Sequence, residues 1–296
     1  MELINLSRRL FVAATASMLV AGRVVGQERQ ARRDLREPLL RTSKTPDPQG
    51  DVTAGSHPLD EAIRIADEAL RRIREEIDDY KCVMVKRERV NGKLGEREFM
   101  YARFRNRKRV DGMIKVPFSV YLYFTKPEGL KGRECAYVEG MNDGKLAVKE
   151  PGIAGKILPI IWLAPDSVLA MRGNLYPITD AGIENLIVKL LEKGHRDRKR
   201  DECDVQYREN AKVNDRRCQL LEVIHPNRRA YFDFNLAHIY IDNETRLPIR
   251  YAAYTWPKGR DQNPEPRPAD DTLIEEYTYL DLKLNPGLTD HDFELQ

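Results

Sequence analysis

The sequence predicts an α+β fold: an antiparallel sheet with a leading amphipathic helix and an internal helical insertion. Three observations predict it. An apolar stripe of helical period opens the patterned part of the chain, with Leu59, Ile63, Ala66, Leu70, Ile73, Ile77 and Tyr80 spaced alternately by four and three. From Lys81 onward the period switches to two, and strand-like runs follow one another across short turns. Strands and helices do not alternate, which excludes a doubly wound parallel sheet and a β/α barrel.

Each element has its own reason. The leading helix reads as about six turns, with Ser56 as its cap, Pro58 in its first turn, and Asp60 and Glu61 at the positive end of its dipole. Cys82-Val83-Met84-Val85 leads to Asn91-Gly92, a hairpin signal, with the return strand near 96–104. Phe118, Val120, Leu122 and Phe124 alternate with Ser119, Tyr121 and Tyr123. Both faces of that strand are bulky, so it reads as a central strand covered on both sides. Strands near 134–139 and 145–148 flank Asn142-Asp143-Gly144. Between 151 and 194 the strand signal stops. Ile157-Leu158-Pro159-Ile160-Ile161-Trp162-Leu163 is an apolar run broken by proline, and Ile183, Leu186, Ile187, Leu190 and Leu191 predict a helix closed by Lys193-Gly194. Strands resume near 204–213, 217–224, 231–241, 247–254 and 274–284.

The 296 residues, 41% hydrophobic and 33% charged, suit a water-soluble protein of one large domain or two small ones and exclude a polytopic membrane protein. The net charge of +3 sits in the leader: residues 1–26 carry +2, residues 27–57 carry +1, and 58–296 are neutral. A neutral domain argues against nucleic acid as a partner, because that affinity needs a net basic footprint. Ser7-Arg8-Arg9-Leu10-Phe11 resembles the twin-arginine export consensus, and a short diluted apolar run follows it. We therefore read 1–26 as an export signal cleaved near Gly26-Gln27, leaving a periplasmic protein that does not span the membrane. Residues 27–57 read as a disordered linker, rich in arginine and proline with little to bury, and 58–296 as a single domain. Export permits disulfides, yet Cys82, Cys135, Cys203 and Cys218 lie singly on strands and form no CxxC pair. Buried free thiols are the preferred reading, with one bridge as the alternative.

No local motif carries chemistry. The five histidines form no metal-ligand spacing, and nucleophile-elbow, P-loop and HExxH patterns are absent, so no catalytic residue, metal or cofactor is assigned. Asp290-His291-Asp292 reads as a solvated turn, and the basic run from Arg103 to Arg109 as a hairpin tip or strand edge.

Several stretches together resemble the DUF1571 family of exported bacterial proteins: Pro117-Phe-Ser-Val-Tyr121, Gly132-Arg-Glu134, Tyr137-Val-Glu-Gly140, Asn142-Asp-Gly-Lys145, Pro177-Ile-Thr-Asp-Ala-Gly182, Tyr240-Ile-Asp242, Leu247-Pro-Ile-Arg250 and Glu276-Tyr-Thr-Tyr279. That family has no assigned activity. More remotely, the closing pattern is similar to the LolA/LolB superfamily of periplasmic lipoprotein carriers. The second resemblance implies a curved antiparallel sheet forming an incomplete barrel around an apolar cavity, under a helical lid. On it we expect an exported, non-catalytic lipid- or lipoprotein-binding protein of the cell envelope. The candidate cavity residues are Phe118, Val120, Leu122, Phe124, Ile157, Ile160, Ile161, Trp162 and Leu163. The expected partners are acyl chains or envelope components. Two alternatives stay open: an envelope interaction protein whose barrel is filled by the 151–194 insertion, and an uncharacterised hydrolase.

Overall fold

The computed structural model describes residues 36–42, 57–152, 155, 160–258 and 268–295. The export segment, most of the linker, Ser56 and Ile157 lie outside these residues. Helix α1 (Leu59–Glu76) leads the domain, followed by β2 (Asp79–Val90), β3 (Lys93–Leu94) and β4 (Glu98–Arg105). A separate hairpin, β5 (Lys108–Val110) and β6 (Met113–Val116), precedes β7 (Ser119–Lys126), β8 (Glu134–Val138), β9 (Leu146–Lys149) and β10 (Ile161–Leu163). After α2 (Ile183–Arg198) come β11 (Asp204–Val213), β12 (Arg216–Ile224), β13 (Leu236–Asp242), β14 (Pro248–Tyr254) and β15 (Leu273–Leu284). Inside the span read as linker, β1 (Leu40–Arg41) pairs with β11.

The strands form one sheet in the order β1-β11-β12-β13-β14-β15-β2-β4-β7-β8-β9-β10, with β3 paired to β2. Every neighbouring pair is antiparallel. The end strands β1 and β10 do not meet, so the barrel stays incomplete. The fold is α+β, as the switch of period implies.

Helix α1 is 18 residues, one turn shorter than its stripe suggests. The chain turns extended at Ile77, and Tyr80 belongs to β2. Its last carbonyls are taken by side chains from elsewhere: Asn106 Nδ2 donates to Ile77 at 2.9 Å, Asn285 Nδ2 to Glu76 at 2.8 Å, and Lys108 Nζ to Arg74 at 2.7 Å. At the other end Leu59 N–H donates to His57 Nδ1 at 3.0 Å. The buried line is Leu59, Ala62, Ile65, Ala69 and Ile73, while Ile63, Ala66 and Leu70 are half-buried. The rotation has a cause: α1 is covered by α2 as well as by the sheet. A Cβ at Gly194 would lie 3.3 Å from Ile63 Cγ1, so this glycine lets the helices approach. That role replaces the expected one, and α2 runs past Gly194 to Arg198.

The expected helical insertion is in part a strand. Ile161, Trp162 and Leu163 pair with Val148, Ala147 and Leu146 of β9. An open strand edge offers unmet backbone groups, and a segment led by Ile161 and Trp162, both of high β propensity, satisfies them. The helices and the inward strand residues form one core. On the other face, Tyr121 and Ala136 pack beneath Phe293 of the C-terminal turn, so β7 is covered on both sides. Arg105 lies 4.8 Å over the Phe293 ring and pairs with Asp290 at 2.6 Å, while Arg107 forks onto Glu139 at 2.7 and 2.8 Å. The basic run is thus consumed by local partners. All four cysteines are free thiols. Burial pushes Cys203 up to about 11, Cys135 and Cys218 to about 12, and Cys82 higher still.

Candidate functional site

Strand alternation builds a cavity whose two ends differ. Cys82, Met84, Lys86 and Glu88 share one face of β2, and Tyr279, Tyr277 and Glu275 share the same face of β15. The register sets Met84 opposite Tyr279, Lys86 opposite Tyr277, and Glu88 opposite Glu275. One wall is therefore apolar, continued by Met100, Leu122, Phe124 and Val148, while the other end is charged. Between these strands, α2 and the segment from Pro165 to Ile178 lies a cavity of about 350 Å³. That is within the range of small-ligand sites.

Two carboxylates directly opposite one another repel unless something intervenes. Tyr277 Oη contacts both, donating to Glu88 and lying 3.1 Å from Glu275 Oε2. A hydroxyl has one proton, so its contact to Glu275 is satisfied when Glu275 carries a proton of its own. Burial, reinforced by Glu88, pushes the Glu275 carboxyl upward in keeping with this. Burial opposes the charge of Lys86, but Glu98 at 3.2 Å and Glu88 at 3.4 Å outweigh it and hold its pKa up. Burial likewise raises Glu98.

The roof is fastened to this charged floor by three consecutive residues. Lys86 Nζ donates to Asn174 Oδ1, Leu175 N–H donates to Glu88 Oε2 at 3.0 Å, and Tyr176 Oη lies 3.4 Å from Glu275 Oε1. Lys189 Nζ of α2 sits 4.4 Å over the Tyr176 ring and 3.0 Å from Asp180. The roof is open to solvent at Leu169, which lines the cavity yet is 66% exposed.

Of the residues singled out from the sequence, Leu122, Phe124, Ile161 and Leu163 line the cavity. Phe118 and Val120 lie on the same face of the sheet but are buried in the core away from it. Ile160 and Trp162 depart from expectation: they are 43% and 45% exposed, because pairing with β9 directs Ile161 and Leu163 inward and Trp162 outward. Ile157 lies outside the described residues. The charged end was missed. Its available signal was the period-two face of β2, which runs apolar through Cys82 and Met84 and then turns to Lys86 and Glu88.

Among the described residues no helix is long and apolar enough to cross a membrane. Nor, among them, do three or more His, Cys, Asp or Glu side chains converge so as to hold a metal ion. No curated protein matches the chain. Among solved structures it is similar to a DUF1329 family protein from Desulfovibrio piger, at 15% identity over 81% of this chain and 98% of that one, TM-score 0.37. It is also similar to a putative outer membrane lipoprotein-sorting protein domain from Vibrio parahaemolyticus, at 13% identity over 78% and 95%, TM-score 0.36. A LolA superfamily protein from Nitrosomonas europaea matches at 12% identity over 81% and 99%, TM-score 0.31. A family model described as a protein of unknown function, DUF1571, matches residues 77–296, and the chain belongs to that family.

Proposed function

We propose that this protein binds the acyl chain of a lipid or lipoprotein in the concave cavity, as an exported, non-catalytic component of the bacterial envelope. The observation that carries the reading is the cavity itself. A sheet face that only needed a core would be filled, whereas here about 350 Å³ stays open between an apolar wall and a roof. Burying an acyl chain there gains about 0.8 kcal/mol per methylene, and the charged end meets a polar head. A fluorescent fatty-acid probe is expected to bind saturably and to be displaced by unlabelled fatty acid. Leu122→Trp, which fills the wall, is expected to weaken binding about tenfold or more, since about 1.4 kcal/mol or more of contact is lost. Absence of saturable binding to the parent protein would refute the reading. The leader supports export, and the exported form is expected to begin near Gln27.

One observation favours a second reading. Glu88, Glu275, Lys86 and Lys193 converge on the cavity with Tyr277, the kind of titratable cluster that acid–base catalysis uses. Hydrolysis of lipid esters by the parent, abolished in Glu88→Gln with probe binding retained, would favour an enzyme over a binder.

A further inference from the structure

The hairpin of β5 and β6 ends in an apolar tip. It forms a two-stranded sheet of its own, apart from the main one. Val110, Met113 and Ile114 are 50%, 59% and 41% exposed there, whereas large apolar residues at a surface are ordinarily scattered singly. The pairing spreads them over both faces of the ribbon. Val110 stands opposite Met113 on one face, and Ile114 opposite Arg109 on the other. Asp111 and Gly112 join the strands with φ 50° and 77°, both positive as a tight hairpin turn requires.

An isolated two-stranded ribbon is marginal in water, but this one is held at its base. Lys108 Nζ donates to the carbonyls of Arg74 at 2.7 Å and Ile77 at 3.1 Å, and pairs with Asp78 at 3.1 Å. The fork of Arg107 onto Glu139 fixes the residue before it. These two ion pairs cancel the charge at the base. Nearer the tip the register slips, which leaves Lys115 as the extra residue of a bulge. Lys115 is exposed and makes no ion pair among the described residues. Arg109 is exposed too, and its Nη1 donates to the Gly112 carbonyl at 3.1 Å rather than to a carboxylate. Asp111, in the turn, is the opposing charge of the tip.

We propose that this tip docks on an anionic lipid surface, with Val110, Met113 and Ile114 entering the interface and Arg109 and Lys115 meeting the head groups. A protein partner covers one face of such a ribbon and leaves the apolar groups of the other in water. A lipid interface takes apolar groups on every side, with cations at head-group level. The reach agrees: three residues of β5 span about 10 Å at about 3.3 Å each, and interfacial elements enter to about 5–10 Å. The excess of cations at the tip complements anionic head groups. The docking is independent of what the cavity holds.

Co-sedimentation of the exported form with vesicles tests the docking. One series holds phosphatidylglycerol and phosphatidylcholine in equal parts, the other phosphatidylcholine alone. Binding to the first series is expected, weakening as salt is added, and about fivefold or more weaker binding to the second. Met113→Ser is expected to weaken binding about tenfold and Lys115→Gln about fivefold. Asp111→Asn keeps a turn-forming residue and removes the opposing charge, and is expected to tighten binding about fivefold. All three positions are exposed, so these variants fold like the parent. Leu122→Trp, in the cavity, is expected to bind vesicles as the parent does. A parent that does not sediment with the anionic vesicles, equal binding to both series, or parental binding by Met113→Ser and Lys115→Gln would overturn the proposal and leave the acyl-chain reading standing. Loss of vesicle binding in Leu122→Trp would overturn it by assigning the interaction to the cavity. Self-association abolished by Met113→Ser, without vesicle binding, would overturn it by giving the tip to a second copy of the chain.

Discussion

Gly182→Ala is the sharpest test of how the roof helix is placed. Gly182 precedes α2 with φ 100° and ψ 165°, a region that other residues scarcely enter. A Cβ there would lie 2.9 Å from Tyr80 Oη and 3.2 Å from Phe104 Cδ1. Neither ring can withdraw: they stack with centroids 4.9 Å apart, and Phe104 and Tyr80 are 0% and 1% exposed. The backbone costs about 1–3 kcal/mol and the overpacking about as much again, giving a loss of about 2–6 kcal/mol. Tyr80→Phe separates the polar part, since Ile183 N–H donates to Tyr80 Oη at 2.8 Å. Leaving that buried N–H without an acceptor costs about 1–3 kcal/mol. Urea unfolding followed by circular dichroism measures both. A loss under about 0.5 kcal/mol for Gly182→Ala, within the range of an indifferent surface change, would refute the placement of α2 on this ring pair.

Other expectations follow from burial. Ile73→Ala, at a fully buried position, is expected to cost about 2–5 kcal/mol and more than Leu70→Ala, which is only half-buried; the reverse order in urea would restore the unrotated stripe. Trp162→Ala is expected to cost under about 1 kcal/mol, because the ring is 45% exposed; a core-like loss of about 3–5 kcal/mol would place it inward after all. His225 has no exposure, and burial holds its pKa below 6.5 in spite of Asp197 Oδ2 at 3.5 Å. The unfolded chain then takes up a proton first, so stability is complete above pH 6.5 and falls as the pH drops through the folded pKa. Glu275 works in the opposite sense: its raised pKa favours the fold at low pH, and that contribution fades as the pH rises through it. In urea titrations across pH, His225→Gln is expected to flatten the acidic loss, and an unchanged slope would contradict the assignment.

Strand positions along the chain were readable because alternation and turn chemistry are local. Asp204–Val213 was placed to the residue, and Asn91-Gly92 marks the turn between β2 and β3. What escaped depends on distant partners. The end of α1 is set by Asn106, Lys108 and Asn285, none of them near it in sequence. Gly194 looked like a helix stop because α1 was not in view. Trp162 looked like core because an apolar run gives no hint that β9 offers it an edge. Leu122, Phe124, Ile161 and Leu163 were legible as an apolar wall. The charged end was not, because Glu88 and Glu275 are 187 positions apart and meet only through the pairing of β2 with β15.

Native mass spectrometry of the protein purified from the envelope fraction tests the central claim most directly. The account predicts a population heavier by the mass of a lipid or acylated species, lost in Leu122→Trp. A parent protein that carries no such mass, and gains none when incubated with lipid vesicles, would contradict it.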